Sequence, residues 1–251
     1  MGISRDMKYD HEDVLEQPKI VAKYIRRLNA HNVLDLGVGK GSSSTYLARL
    51  FSNIRFDGID LPNSLLDVAK RAAKKVPNFY PMEGNYHDLS RYDRAQFDVV
   101  FAIESLCHST KKEKVFNEIW RVLRKDGTFI IIDGYLGKPE KSLNDNERLA
   151  KKLTEKGMMV EDFEYYGDIK EKIEQLGFKI IEEEDVTRLI IPTLKRFESL
   201  ARKTLFNHPR LGRVIVKLLP DEFTANAISG YLMPVIVELS LAKYTILVVK
   251  K

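Results

Sequence analysis

Residues 32–42 read NVLDLGVGKGS, a short apolar run that breaks into three glycines at alternate positions. The run over 33–36 has the composition of a buried parallel strand, and the glycines predict a turn into a helix over 42–51. These glycines are Gly37, Gly39 and Gly41. Because glycine lacks a Cβ, the backbone can turn at positive φ and a ligand can approach the main chain, while the helix N-terminus offers free N–H groups. The stretch therefore predicts a cofactor-binding loop.

A glycine-rich turn also occurs in ordinary strand-to-helix connections, so the residues that follow decide its meaning. The dinucleotide-binding fingerprint requires a third glycine where this chain has Ser42. A second strand, predicted over 54–59, ends on Asp60, whose carboxylate can accept hydrogen bonds from both ribose hydroxyls of an adenosine on the glycine loop. Leu61, or Ile59 before Asp60, is expected to cover the adenine face. These residues predict an adenosine site that lacks the dinucleotide pattern.

Polar residues within or directly after apolar strands are the other candidates for a site. Asp35 lies inside the apolar first strand, and because burying a lone carboxylate is costly, it is expected to have hydrogen-bonding partners. A strand predicted over 97–103 runs into Glu104, and His108 follows four residues later. In a doubly wound sheet the chemistry lies outside the carboxyl ends of the strands. Glu104 and His108 are therefore candidate catalytic residues.

Five motifs resemble, in order and spacing, those of the class I methyltransferases that use S-adenosylmethionine. They read VLDLGVGKG, FDGIDL, EGNYHDL, FDVVFAIESLCH and LRKDGTFIIIDGYL. The resemblance covers roughly residues 14–187 and the last ten, and five motifs in register are more specific than any one. It implies an α/β fold: a seven-stranded, mostly parallel Rossmann-like sheet with its last strand antiparallel, helices on both faces and a helical lid before the last strand.

The resemblance implies S-adenosylmethionine as cofactor and S-adenosylhomocysteine as product, and it assigns roles to residues beyond the glycine loop and Asp60. Asp35 would fix the glycine loop or contact the methionine amino group. Asn85 would meet the adenine amino group, although the family usually has an acid there and an amide lacks the strength of a carboxylate. Tyr86 would offer its backbone N–H to the adenine ring, and His87 is interpreted as a surface residue.

The motif ESLCH at 104–108 resembles the sterol, tocopherol and cyclopropane-type subgroup, whose members methylate prenyl, sterol or acyl chains, often on carbon. Glu104 could then stabilise a carbocation or take the proton released from carbon. His108 could instead be the general base for an oxygen or nitrogen acceptor, because histidine exchanges its proton near neutral pH. Since both side chains could also simply anchor the loop by hydrogen bonds, their roles stay open at this point.

The composition is typical of a cytoplasmic globular protein. The chain has 251 residues, a mass of 28.9 kDa and 44% hydrophobic residues, enough to bury a full core. A single cysteine, Cys107, excludes a disulfide framework, and residues 1–8 are too polar for a signal peptide. The apolar stretch 230–249 contains Glu238 and Lys243, which favours a helix followed by a strand over a membrane span. No histidines and carboxylates have the spacing of metal ligands, so no metal is expected.

The basic residues are concentrated in one segment. The formal net charge is +5, yet residues 188–217 contain eight lysines and arginines against Glu198 alone, a net charge of +7. This segment begins the predicted lid, over 188–240, which is inserted into a core made of 1–187 with 241–251. Its charge fits a merely solvated surface, contact with anionic lipid headgroups at a membrane, or a clamp for the phosphate of a prenyl diphosphate. The scarcity of aromatic residues in the segment argues against nucleic acid.

The resemblance implies methyl transfer to a small-molecule acceptor that is apolar or anionic, of lipid or prenyl type. Three alternatives stay open. The first is methylation of a small polar metabolite on oxygen or nitrogen. The second is a nicotinamide oxidoreductase, although the chain lacks the third fingerprint glycine and a tyrosine–lysine pair placed for hydride chemistry. The third is a non-enzymatic S-adenosylmethionine-binding module. The sequence does not determine the acceptor, the methylated atom or the oligomeric state.

Overall fold

A computed structural model of the chain describes residues 1–203, 207 and 221–251, with the backbone alone at 221–223. Within these ranges, seven strands form one sheet. The strands are β1 (Asn32–Leu36), β2 (Arg55–Asp60), β3 (Phe79–Glu83), β4 (Phe97–Ile103), β5 (Leu123–Leu136), β6 (Lys179–Asp185) and β7 (Ala242–Lys250). They lie side by side in the order β3-β2-β1-β4-β5-β7-β6.

Helices connect most of the strands. The described α-helices are α1 (Glu16–Leu28), α2 (Ser42–Leu50), α3 (Ser64–Ala73), α4 (Lys112–Val122), α5 (Asp145–Met158), α6 (Tyr166–Gln175), α7 (Ile191–Ala201) and α8 (Asp221–Glu238). Short 3-10 helices cover His11–Leu15, Leu106–His108, Glu140–Ser142 and Thr187–Ile190. None of the helices described here combines the length and the apolar character that crossing a bilayer requires.

The strands pair mostly in parallel. β1 is parallel to both β2 and β4, β2 is parallel to β3, and β4 is parallel to β5. β7 runs the other way along β5: the Lys251 N–H donates to the Gly127 carbonyl at 3.1 Å, and the Gly137 N–H donates to the Leu241 carbonyl at 2.8 Å. Residue numbers rise along β5 while those of the partners along β7 fall, which defines an antiparallel pair. The predicted seven-stranded, mostly parallel sheet with an antiparallel last strand is confirmed.

The central strands are buried, as their apolar composition predicts. Every residue of β4 except Ile103 is buried, and so is β1 from Val33 to Leu36. The strand order reverses between β1 and β4, because β1 continues along the chain to β2 on one side while β4 lies on its other side. A crevice opens at the carboxyl ends of strands where the order reverses in this way. The glycine loop after β1 lies at this edge.

The strand predicted over 54–59 lies one residue later, at Arg55–Asp60, and the helix predicted over 42–51 ends at Leu50. The first helix begins as a 3-10 turn over His11–Leu15 and becomes α-helical at Glu16. β5 is one continuous strand over Leu123–Leu136. Asp126 within it has a φ of 64°, a left-handed conformation that marks a turn. The Asp126 N–H still donates to the Lys251 carbonyl, so the pairing with the end of the chain continues through this irregularity.

The chain folds into two compact units. The sheet unit comprises Leu15–Asp133, Lys170–Glu184 and Thr245–Lys251. The helical unit comprises Met1–Val14, Gly134–Ile169 and Asp185–Tyr244. The predicted division into a core over 1–187 with 241–251 and a lid over 188–240 stays a prediction.

The helical unit is built around contacts of α8 with α5 and α7. Its buried cluster consists of Leu136, Leu143, Ile236 and Leu241. α5 meets α8 at Gly157, where an added Cβ would come within 2.4 Å of the Ala225 carbonyl oxygen. Two real atoms cannot approach so closely, so the helices can pack this tightly only if residue 157 is glycine.

The N-terminal residues pack within the helical unit. Ile3 and Ser4 are fully buried. The Ser4 N–H donates to the Leu189 carbonyl at 2.8 Å, and the Thr193 hydroxyl donates to the Gly2 carbonyl at 3.3 Å. These contacts anchor the start of the chain to α7 and to the 3-10 turn before it.

Part of the predicted lid is described. α7 exposes Lys195 and Arg196 together with the apolar side chains of Phe197 and Leu200. Three of the basic residues counted in the segment 188–217 lie outside the described residues. These are Arg210, Arg213 and Lys217. The described part of the segment is therefore both basic and apolar on its exposed surface.

Candidate active site

The glycine loop connects β1 to α2 in a backbone conformation that favours glycine. Gly37, Gly39 and Gly41 have φ angles of 76°, 52° and 76°. The N–H groups of Gly37 and Val38 both donate to the Ile59 carbonyl, at 2.9 and 3.0 Å, which fixes the loop to the neighbouring strand β2. These two hydrogen bonds therefore attach the start of the loop to β2.

The three glycines have different surroundings. A Cβ at Gly37 would lie 2.4 Å from the Ser105 Cβ, and a Cβ at Gly41 would lie 3.0 Å from Ala69 and from the Phe79 ring. A Cβ at Gly39 would have no atom of the described residues within 4 Å. Gly37 and Gly41 are thus required by packing within the protein, whereas Gly39 faces open space where a ligand could approach the backbone.

Asp60 ends β2 and faces the glycine loop. Its Oδ2 accepts a hydrogen bond from the Gly39 N–H at 2.7 Å, and its Oδ1 accepts one from the Asn63 side chain at 3.2 Å. A carboxylate has about four acceptor positions, so two remain for hydroxyl groups of a ligand. Leu61, the next residue, is 57% exposed and leaves its side chain available to cover an apolar ring.

Asp35 is buried and has the partner that its burial requires. The Ser44 hydroxyl, on α2, donates to Asp35 Oδ2 at 2.6 Å. Burial raises the pKa of Asp35 to about 7; the hydrogen bond from Ser44 opposes this shift, and the negative charge of Asp60 adds to it. Near neutral pH this side chain can therefore either donate a proton to a hydrogen bond or, when ionised, attract an ammonium group.

The connection after β3 contains three consecutive polar residues that face the loop after β4 or one another. Asn85 Oδ1 accepts from the His87 N–H at 2.9 Å, so this amide oxygen is already engaged in a tight turn. The Tyr86 hydroxyl donates to the Ser105 carbonyl at 3.2 Å, and burial raises the pKa of Tyr86 to about 12. His87, interpreted as a surface residue, is instead partly buried, with Nε2 lying 2.8 Å from the Ser109 hydroxyl.

The segment after β4 carries the two candidate catalytic residues. Glu104 and His108 are both exposed. Glu104 has a φ of 53°, an uncommon left-handed conformation for a residue with a Cβ, and its N–H donates to the Ile132 carbonyl at 2.9 Å. Cys107, between Glu104 and His108, is buried. Burial and the nearby Asp133 raise the pKa of its thiol, which disfavours the thiolate that a nucleophile requires.

The structure places all the predicted site residues at one edge of the sheet unit, at or after the carboxyl ends of four adjacent strands. The order of these strands is β3-β2-β1-β4. The predicted residues are Asp35, Gly37, Gly39, Gly41, Asp60, Leu61, Asn85, Tyr86, Glu104 and His108. Within the part of the chain that the structure describes, no group of three or more histidines, cysteines and carboxylates could hold a metal ion.

Two residues that sequence reasoning missed connect these loops. The Ser105 hydroxyl donates to the Leu36 carbonyl at 2.6 Å, which ties the segment after β4 to the end of β1. His87 bridges Asn85 and Ser109. No local pattern marks either contact, because the partners are far apart in the sequence. The position of His87 within the motif EGNYHDL was the only available signal.

A family model described as "Methyltransferase domain" matches residues 34–131. The S-adenosyl-L-methionine-dependent Diels-Alderase iccD of Talaromyces variabilis is 26% identical over 66% of this chain and 59% of that protein. The sterol 24-C-methyltransferase ERG6 of Saccharomyces cerevisiae is 28% identical over 61% of this chain and 40% of that protein. The crystal structure of geranyl diphosphate C-methyltransferase from Streptomyces coelicolor A3(2) superposes with a TM-score of 0.70 at 15% identity, covering 96% of this chain and 80% of that one.

The family model matches the region that contains the site. The residues matched by the family model run from β1, through the glycine loop and Asp60, to Ile131 in β5. This chain spans between about two fifths and three fifths of the length of the two curated relatives. The structural similarity, at low identity, establishes the shared fold.

Proposed function

The chain belongs to the class I S-adenosylmethionine-dependent methyltransferases, and from this premise we propose that it transfers a methyl group from S-adenosylmethionine to a lipid-type or prenyl-type acceptor, on carbon. One observation carries the proposal. The open backbone position at Gly39 lies next to Asp60, whose carboxylate still has acceptor positions for ribose hydroxyls. This arrangement fits an adenosine group, and S-adenosylhomocysteine is the expected product.

Other residues at the same edge fit the remaining parts of the cofactor. Asp35 would stabilise the glycine loop through α2 or contact the methionine amino group, and its raised pKa suits a group that both donates and accepts. Leu61 would cover the adenine face. Tyr86 would offer its backbone N–H to the adenine ring, and Asn85 would contact the adenine amino group only if its amide oxygen exchanged one of its present partners.

Bound S-adenosylmethionine supplies a methyl group that its sulfonium already activates. The protein must therefore align the acceptor with that group and exclude water. Glu104, held at the tip of β4, would stabilise a carbocation on an alkene acceptor or take the proton released from carbon. His108 would be the base for an oxygen or nitrogen acceptor. Cys107 is buried and takes no part.

The acceptor class is supported by a relative and by a surface. The sterol 24-C-methyltransferase is 28% identical over 61% of this chain. On α7, the exposed basic residues Lys195 and Arg196 lie next to the exposed apolar side chains of Phe197 and Leu200. A surface of this kind can contact anionic lipid headgroups while apolar groups enter the membrane interface. We therefore propose peripheral membrane contact through this part of the helical unit.

The experiment is incubation of the full chain with methyl-labelled S-adenosylmethionine and an extract of its source cells, followed by separation into organic-soluble, aqueous and macromolecular fractions. Label in the organic fraction supports a lipid or prenyl acceptor. Once unreacted S-adenosylmethionine has been removed, label that remains in the aqueous fraction shows methylation of a polar metabolite, and label in macromolecules contradicts a small-molecule acceptor. The variants Glu104→Ala and His108→Ala separate the two catalytic roles. We expect replacement of the residue that the reaction requires to lower turnover about 100-fold without changing the affinity for S-adenosylhomocysteine.

A second candidate function has a specific observation in its favour. The relative from Talaromyces variabilis is described as an S-adenosylmethionine-dependent Diels-Alderase. In a cycloaddition new carbon–carbon bonds form within the substrate and no methyl group leaves the cofactor. Saturable binding of S-adenosylhomocysteine with no label in any fraction would favour this candidate or a non-enzymatic binding module. Absence of saturable binding would contradict all three.

A further inference from the structure

Two consecutive residues of the connection between β3 and β4 hold both ends of the segment 105–109. The Tyr86 hydroxyl donates to the carbonyl of Ser105, the first residue of the segment, at 3.2 Å. His87 Nε2 lies 2.8 Å from the hydroxyl of Ser109, the last residue. The segment directly follows Glu104 and includes His108, so these two contacts restrain the part of the backbone that carries the candidate catalytic groups.

The hydrogen bonds around His87 determine which of its nitrogens carries the proton. Asn85 Oδ1 accepts from the His87 backbone N–H at 2.9 Å, which establishes that this end of the amide is the oxygen. The same oxygen lies 2.7 Å from His87 Nδ1, and since an amide oxygen only accepts, Nδ1 carries the proton. Nε2 of the neutral ring is then an acceptor, and the Ser109 hydroxyl donates to it.

Ser109 is buried and is held by hydrogen bonds of its own. It is only 1% exposed, and its carbonyl accepts from the Lys112 side chain at 2.6 Å. Its hydroxyl oxygen accepts from the Lys111 N–H at 3.2 Å while the hydroxyl proton is directed to His87. With Nε2 occupied in this way by a buried partner, His87 is not placed to take a proton from an acceptor molecule.

The surroundings of His87 favour the neutral ring. Burial lowers the pKa of His87, and the positive charges of Lys114, Lys111 and Lys112, on or just before α4, lower it further. The Tyr86 ring packs beside it at a centroid distance of 4.9 Å. Protonation would turn Nε2 into a donor, and the hydrogen bond from Ser109 to the ring would then be lost.

We propose that His87 is a positioning residue of this site: through Ser109 its neutral imidazole sets the conformation of residues 105–109 and hence the positions of Glu104 and His108. The inference rests on the proposed methyl transfer for its catalytic consequence. Its structural part, the restraint on the segment, is independent of the reaction. The two parts are therefore tested separately.

The catalytic part is tested with His87→Phe, His87→Gln and the control His31→Phe. His31 is an exposed histidine of the sheet unit, outside all the site loops. With the organic-soluble cell extract as acceptor and S-adenosylmethionine varied, we expect His87→Phe to lower kcat about 10-fold and to change KM less than about 2-fold. His87→Gln should restore most of kcat, because its amide oxygen can accept from Ser109. Equal kcat in His87→Phe and His31→Phe, or no recovery in His87→Gln, would overturn the proposal.

The structural part is tested by hydrogen exchange of residues 105–109 in the full chain without cofactor or acceptor. We expect lower protection factors, which correct for the intrinsic exchange rate at each pH, in His87→Phe and in Ser109→Ala, which removes only the hydroxyl. Protection should also fall in the wild-type chain once the pH falls below the lowered pKa of His87. Unchanged exchange in both variants would overturn the proposal. Because this measurement uses no cofactor, a wild-type chain that shows the expected exchange but transfers no methyl group contradicts the proposed function and leaves the restraint established.

Discussion

The two units of the chain differ in how their functional surfaces are held. In the sheet unit, hydrogen bonds between side chains and backbone connect the loops after the strands: Gly39 to Asp60, Ser105 to Leu36, and Tyr86 to Ser105. In the helical unit, several large apolar side chains are exposed. They include Leu149, Leu153, Met159, Phe197, Leu200, Val235 and Leu239. The first surface is held by directional hydrogen bonds, and the second presents apolar area.

This difference matches the demands of the two ligands proposed here. A cofactor has one shape and one charge pattern, so fixed donors and acceptors bind it without being reorganised. A lipid-type acceptor is mainly apolar, and its binding depends on area rather than on exact geometry. We expect substitutions in the sheet unit to change stability or cofactor affinity strongly, and substitutions on the helical surface to have smaller effects confined to the acceptor or membrane.

The largest effect is expected from Gly37→Ala. At a φ of 76° an alanine is strained, and its Cβ would lie 2.4 Å from the Ser105 Cβ. We expect the free energy of unfolding to fall by about 3 kcal/mol, measured by urea denaturation. Gly39→Ala is the matched control, because its positive φ also strains an alanine while the Cβ would lie in open space. Its free energy of unfolding should fall by about 1 kcal/mol. Equal losses would show that the contact with Ser105 does not matter.

Asp60→Ala should weaken binding of S-adenosylhomocysteine about 100-fold, which is about 2.7 kcal/mol, measured by calorimetry. The variant would lose the two charge-assisted hydrogen bonds that we propose Asp60 accepts from the ribose, and it releases the Gly39 N–H. Asp67→Ala removes an exposed carboxylate from α3 and should change affinity less than about 2-fold. If both variants bind alike, Asp60 is not part of the cofactor site.

Asp35→Asn should alter the pH dependence of stability. Because burial raises the pKa of Asp35 to about 7, the folded state favours the protonated acid, and this contribution is lost as pH rises from the unfolded pKa near 4 through 7. The variant cannot ionise but can still accept from Ser44. We expect the difference in melting temperature, variant minus wild type, to increase by about 5 °C from pH 5 to pH 8. A difference that is constant with pH would contradict a raised pKa.

The smallest effect is expected on the helical surface. The double variant Phe197→Ser with Leu200→Ser should weaken binding to phosphatidylglycerol vesicles about 5-fold, because two exposed apolar side chains are lost next to basic residues. Affinity for S-adenosylhomocysteine should not change. Leu50→Ser, at an exposed leucine of α2, is the control and should leave vesicle binding as it was. Vesicle binding that is equal in all these chains would contradict membrane contact through α7.

Much of the sheet unit could be predicted because its signals are local. The apolar run of β4 over 97–103 coincides with the strand observed, and the glycines predict both the turn and its positive φ angles. The start of the first helix and the length of β5 could not be predicted, because a 3-10 turn and a continued pairing with Lys251 depend on residues distant in the chain. Terminal boundaries of this kind are decided by tertiary contacts.

The sequence by itself determined the fold class, the glycine loop and the set of polar residues at the strand ends. It could do so because apolar periodicity and glycine are properties of neighbouring residues, and because parallel strands necessarily bring their carboxyl ends to one edge. Only the tertiary structure decided that Gly37 is required by Ser105, that Asp35 is paired with Ser44, and that His87 is held between Asn85 and Ser109. The contacts of Gly37 with Ser105 and of His87 with Ser109 join residues far apart in the chain. All of these contacts depend on distances that no local pattern contains.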